Sequence, residues 1–194
     1  MDCAVAIARD AGDVIMEIYK TDFDVRSKED ASPVTEADEK AEALIRARLE
    51  DAYPDIPFIG EEAYAAGHRP DISGGLFWLV DALDGTKEFV HKRGEFTVNI
   101  ALIEDGAPIF GVVHAPAKER TFWGSAAHGA FGADGQSAPR AIQTRKPNPD
   151  GIIVVTSRSH RSGEDEFLKQ FTVKDTLNSG SSLKFCLVAA GEAD

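Results

Sequence analysis

The sequence predicts two parts of different class: an α+β unit over 1–140 and the start of an α/β unit over 141–194. Three observations carry this division. Apolar residues recur at three- and four-residue steps through two stretches before residue 50, the pattern of helices with one buried face. Between Phe96 and Gly132, β-rich runs follow one another across short turns, which makes an antiparallel meander. From Gly151 the order becomes strand, helix, strand, helix, the α/β alternation.

The first helix is expected from Ala4 to Tyr19, with Ala4, Ile7, Ala8, Ala11, Val14, Ile15 and Ile18 on one face. Thr21 to Ser32 is polar and reads as a loop carrying Lys28 and Asp30. After Ser32-Pro33, Thr35 is placed to cap a second helix, with Asp38 at the reciprocal capping-box position and Ala41, Leu44, Ile45 and Leu49 as its apolar stripe. Ile56 to Gly60 reads as a short strand ending in Glu61-Glu62, and His68 to Gly75 as a loop. Leu76 to Asp81 reads as a buried strand. The runs 96–103 and 108–114 flank Glu104-Asp105-Gly106 as a hairpin, and Thr121–Trp123 and Gly129–Gly132 add two more strands. Ala138 to Asp150, with three prolines, reads as a boundary or linker. The second part then offers a strand over Gly151–Ser157, a short helix over Glu164–Phe171, a strand from Thr172 and an apolar helix over Leu183–Ala190.

A net charge of −12 excludes a general nucleic-acid surface, which needs a basic footprint to displace counterions. It leaves room for a small phosphorylated substrate held through bound metal. Cys3 and Cys186 fit neither a disulfide framework nor a zinc spacing and are read as packing residues. The N-terminus lacks the charge pattern of a secretory signal, and no apolar run approaches the ~20 residues of a membrane span. The expected compartment is cytoplasmic and reducing, free or peripheral at the inner membrane. Oligomeric state is open.

Trp78 to Phe89, W-L-V-D-A-L-D-G-T-K-E-F, joins a buried strand to two carboxylates, Asp81 and Asp84, and then to a helix start at Gly85-Thr86. Rigid carboxylates suit Mg²⁺, a hard cation that binds between acid side chains and a substrate phosphate. The unpaired N–H groups of a helix start attract an anion. Read locally, the same residues also suit a simple strand and turn, and Asp38 suits a plain helix cap.

Several segments together resemble the inositol monophosphatase-like superfamily, and within it the 3′(2′),5′-bisphosphate nucleotidase branch. They are S-P-V-T-E-A-D at 32–38, I-G-E-E at 59–62, the 78–89 motif, G-E-F-T-V-N-I-A-L-I at 94–103, G-V-V-H-A-P at 111–116, S-R-S-H at 157–160 and G-S-S-L-K-F-C-L-V-A at 180–189. The K-E-F and S-L-K-F-C segments point to the nucleotidase branch. The resemblance implies a layered αβαβα sugar-phosphatase fold with its C-terminal part incomplete. It also implies a phosphatase that uses two or three Mg²⁺ ions to remove the 3′-phosphate of adenosine 3′,5′-bisphosphate, or of its sulfated relative, in sulfur assimilation.

Residue by residue, the resemblance implies metal ligation by Glu61, Asp81, Asp84 and the Leu83 carbonyl. Asp38 and Thr86 match the pair that orients and deprotonates the attacking water, with Glu61 beside them in catalysis. Gly85 and Thr86 match the phosphate cradle, and Lys87, His160, Ser181 and Lys184 are implied as substrate contacts. Two departures stand out. Ala82 occupies a position where the family usually has proline, whose ring would stiffen the turn. The family's W-D-x-A-A-G segment, whose aspartate completes a second metal site, does not occur, so a C-terminally truncated chain with weak or no turnover is expected. An inositol or sugar monophosphatase and a non-catalytic metal-binding remnant are the other readings.

Overall fold

The structure, a computed structural model, describes residues 2–27, 33–157 and 164–194. Lys28, Asp30 and the Arg158 to His160 segment lie outside them. The chain opens with α1 (Asp2–Tyr19), β1 (Val25–Ser27), β2 (Pro33–Thr35) and α2 (Glu36–Ala52), followed by β3 (Phe58–Gly60), α3 (Glu61–Ala65), β4 (Leu76–Asp84) and α4 (Thr86–Val90). Then come β5 (Thr97–Glu104), β6 (Ala107–Ala115), a 3₁₀ turn (Pro116–Lys118), β7 (Arg120–Ser125), β8 (Gly129–Asp134) and β9 (Arg140–Ile142). It closes with β10 (Ile152–Thr156), α5 (Glu164–Leu168), β11 (Val173–Asn178) and α6 (Leu183–Ala189).

Seven strands form one mixed sheet in the order β3-β4-β5-β6-β7-β8-β9, parallel between β3 and β4 and antiparallel elsewhere. The meander follows from turns such as Asp105-Gly106, where both residues have positive φ and hold a tight reversal. Strand alternation sorts the two faces. Trp78, Val80, Val98, Ile100 and Val112 pack against Ile7, Ala11, Ile15, Ala41 and Ile45 of α1 and α2. The opposite face carries Leu79, Asp81, Thr97 and Asn99, and α6 rests on it through Leu183 and Cys186 against Ala115 and Phe122. The parallel pair β10–β11 lies beyond α6, so helices and sheets alternate in layers.

Three short elements correct the sequence reading. Val25–Ser27, expected as loop, pairs antiparallel with Pro33–Thr35. Arg140–Ile142, inside the expected linker, adds an edge strand to the large sheet. Glu61 and Glu62, read as the end of a strand, form the first turn of α3. Each is three to five residues long. Pieces this short lack a local period and exist through partners distant in sequence.

His114 marks where α1 presses closest to the sheet. A Cβ on Gly12 would fall 2.5 Å from the His114 ring, and Arg9 of α1 donates to Thr121 Oγ1 at 3.2 Å. The imidazole Nδ1 lies 3.0 Å from the same hydroxyl. Burial pushes the His114 pKa down to about 4, and the nearby Arg9 charge acts in the same direction. The unfolded chain therefore takes up a proton below pH ~6.5 that the folded chain resists until about 4. Stability falls as pH drops through that window, by up to about 3 kcal/mol. The urea midpoint of the wild-type protein should fall between pH 7 and 4.5 more steeply than that of His114→Asn.

Candidate active site

β4 runs under the sheet's core as far as Val80, then leaves its regular register between Asp81 and Asp84, which still pair with Asn99 and Thr97 of β5. That irregularity places both carboxylates on the side away from α1 and α2. Asp81 Oδ1 accepts the Leu83 N–H at 3.2 Å, and Asp84 Oδ2 accepts the Ser182 N–H at 2.6 Å. Gly85 follows with φ 89°, a left-handed conformation that turns the chain into α4. A side chain there would also press on Glu95 O and Ser181 Cβ, both 3.1 Å away. With only five residues, α4 has a weak dipole; the N–H groups ahead of Glu88, whose own N–H donates to the Gly85 carbonyl at 2.8 Å, are the relevant donors.

Asp38 does both things its position allowed. Its Oδ2 accepts from the Thr35 N–H and hydroxyl, each at 2.8 Å, while Thr35 Oγ1 accepts from Ala37 N at 3.2 Å, closing a capping box at the start of α2. Its Oδ1 is 3.2 Å from the Thr86 hydroxyl, which stands the same distance from the Leu83 carbonyl. Thr86 thus has one proton to divide between a carboxylate and a carbonyl. Burial raises the Asp38 pKa against the lowering effect of these hydrogen bonds.

Asp81 is the most perturbed carboxyl. Burial, followed by the negative charges of Glu61, Asp84 and Asp38, pushes its pKa up to about 8. Four acids converge on one region, and the charged form of Asp81, flanked by the other three, is disfavoured. Among the described residues no three acid, histidine or cysteine side chains already close into a metal cage. The donors are all oxygen, however, and a divalent cation would relieve this repulsion.

Glu61, solvent-exposed at the start of α3, borders two cavities. One, of about 420 Å³, brings together Asp84, Gly85, Thr86, Lys87, Ser181 and Lys184. The other, of about 670 Å³, is an apolar trough along the sheet that starts at Asp81 and passes Leu79. Of the residues singled out in the sequence, Asp38 lies behind Thr86 and Leu83 is buried. His160 is outside the described residues.

Sequence reasoning missed the supports. Glu42 is buried, and its two oxygens accept the N–H groups of Glu62 and Ala63 at 2.7 Å, fixing the start of α3 and hence Glu61. Its signal was available: an acid four residues after Asp38 and three before Ile45 sits on the apolar face of α2. Glu95 holds Gly180 N at 3.1 Å, and Asn99 and Thr97 hold the Ser182 hydroxyl at 2.7 and 2.8 Å. These bonds seat the 179–182 turn against β4 and β5. Ser181 in that turn has φ 51°, and its carbonyl accepts from Lys184 Nζ at 2.6 Å.

The layered α/β fold and this acid-lined turn define a phosphoric monoester hydrolase: the chain belongs to the inositol monophosphatase family, whose profile matches residues 1–194. Among individual proteins, the 3′(2′),5′-bisphosphate nucleotidase CysQ of Shigella flexneri is 46% identical over 196 residues, covering 100% of this chain and 78% of that protein. The crystal structure of CysQ from Bacteroides thetaiotaomicron is 33% identical with a TM-score of 0.78, over 99% of this chain and 76% of that one. The extragenic suppressor protein suhB of Bartonella henselae is 28% identical with a TM-score of 0.82, over 100% of this chain and 75% of that one.

The support of α3 is open to test. A Cβ on Gly60 would stand 2.5 Å from Glu42 Oε2 and 2.7 Å from Phe58, whereas one on Gly74 would meet nothing. Gly60→Ala should cost about 1–3 kcal/mol in urea unfolding, and Gly74→Ala should stay within about 0.5 kcal/mol of wild type.

Proposed function

We propose that this chain hydrolyses the 3′-phosphate of adenosine 3′,5′-bisphosphate, and of its sulfated relative, to the 5′-nucleotide and inorganic phosphate, a reaction of sulfur assimilation in the cytoplasm. The observation that carries it is the convergence of Glu61, Asp84 and Asp38 on the half-buried Asp81, beside the Thr86–Asp38 pair. The similarity to nucleotidases, including the S-L-K-F-C segment, supports the nucleotide over an inositol or sugar phosphate.

In this reading Glu61, Asp81, Asp84 and the Leu83 carbonyl hold two or three Mg²⁺ ions. When bound, they neutralise phosphate charge and make water a better nucleophile. The rest falls to the chain. The Thr86 oxygen accepts a hydrogen bond from the attacking water, and the proton passes through the hydroxyl to Asp38, which burial makes a stronger base than an exposed aspartate. Oxygen adds to phosphorus as the bond from phosphorus to the ribose 3′-oxygen breaks, and that oxygen takes up a proton to become the 3′-hydroxyl. The amides of Gly85 and Thr86 hold the phosphoryl oxygens. Lys87 and Lys184 supply positive charge at the rim, with Ser181 and His160 as further substrate contacts.

Phosphate release with Mg²⁺ should be faster from adenosine 3′,5′-bisphosphate than from inositol 1-phosphate; the reverse order overturns the nucleotide assignment. Mg²⁺ should raise the melting temperature of the wild-type chain by a few degrees and leave that of Asp81→Asn unmoved. The same variant should melt higher than wild type in EDTA at neutral pH, since it removes a carboxyl that folding forces to hold a proton the unfolded chain releases. A Mg²⁺ shift that survives in Asp81→Asn would place the metal elsewhere.

A further inference from the structure

Ser182 stands at the N-cap of α6 and does not cap it: φ is −68° and ψ −7°, and its side chain accepts from no amide of its own helix. A serine in that place ordinarily spends its oxygen on the second or third amide of the helix. Here the hydroxyl turns to β5 instead. It donates to Asn99 Oδ1 at 2.7 Å and lies 2.8 Å from Thr97 Oγ1. With its one proton given to Asn99, Ser182 can only accept from Thr97, so the bonds run from the Thr97 hydroxyl to Ser182 and on to Asn99. Thr97 is fully buried, and its hydroxyl needs that partner.

The two residues that hold this hydroxyl are the cross-strand partners of the two aspartates of β4. Thr97 pairs with Asp84, and Asn99 with Asp81. The Ser182 amide in turn donates to Asp84 Oδ2 at 2.6 Å. A ring closes, from Asp84 across the β4–β5 pair to Thr97, through the hydroxyl to Ser182, and back through the amide to the carboxylate. The turn that carries Ser182 has little room to shift, since a Cβ on Gly180 would fall 2.7 Å from Glu88 Cγ and 2.8 Å from the Glu95 carbonyl oxygen. Asp84 is therefore aimed by an amide whose own place is set on the neighbouring strand.

Hydrogen bonds one step removed from a cation orient the carboxylate that holds it and set its affinity. We propose that Ser182 is a positioning residue for the cation site: Thr97 and Asn99 hold its hydroxyl so that its amide fixes the carboxylate of Asp84, and affinity for a divalent cation depends on that hydroxyl through the amide. This rests on the reading of Asp84 as a metal ligand.

The test titrates the full chain with Mn²⁺, a cation suited to oxygen ligands, whose free form is read by electron paramagnetic resonance. Ser182→Ala and Thr97→Val should each weaken binding about tenfold, and Thr97→Ser, which keeps the hydroxyl, should bind as wild type does. The double variant Ser182→Ala/Thr97→Val should lose no more than either single one, because both act through one hydroxyl. Should the buried Thr97→Val not fold, the partly exposed Asn99→Ala takes its place in the same comparison. Equal Mn²⁺ affinity in wild type and Ser182→Ala, or losses that add in the double variant, overturns the role of Ser182 and leaves the metal reading standing. A wild-type chain that binds Mn²⁺ no better than Asp81→Asn overturns both.

Discussion

The repulsion among four carboxylates is the constraint on which the rest of this structure turns. Asp81 sits on β4, the second strand of the large sheet, half-enclosed, with Glu61, Asp84 and Asp38 all raising the cost of its charge. Left to themselves such groups would splay toward water. The three aspartates stay together because each is tied down by bonds that do not involve the others: Asp81 to the Leu83 amide, Asp84 to the Ser182 amide, and Asp38 to Thr35. The core formed by α1, α2 and one face of the sheet anchors the strand that carries two of them. An arrangement held against its own electrostatics is ready to accept positive charge.

A second tier keeps the acids aimed. Glu42 accepts from two amides of α3, and Gly60 must lack a side chain for that carboxylate to fit. Glu95, Asn99 and Thr97 do similar work for the turn before α6. These residues reach across 20 to 85 positions of sequence.

That separation explains what could be read in advance. The long helices, the cap at Thr35 and Asp38, the hairpin at Asp105-Gly106 and the D-x-x-D-G-T motif are local signals, with period, capping and turn chemistry all inside a few residues. Strand ends and spacing displayed the acids, but their shared role was implied only by the family resemblance, since each also suited a plain strand end, turn or cap. Glu42 was harder, since its partners are visible only once β3 lies alongside α2. The strands at 25–27 and 140–142 have no period of their own and take their form from a neighbour. Glu61 read as a strand end because its helix is five residues long and is capped from another element.

The two oxygens of Asp38 belong to different parts of the molecule, one closing the first turn of α2 and the other facing Thr86. The turn at Thr86 and the first turn of a 17-residue helix are thereby joined through a single side chain. Because the same carboxylate meets both, the strength of the cap on α2 and the position of the Thr86 hydroxyl are not independent quantities. Solvent exchange at a helix end some fifty residues earlier in the chain thus reports on the surroundings of Thr86.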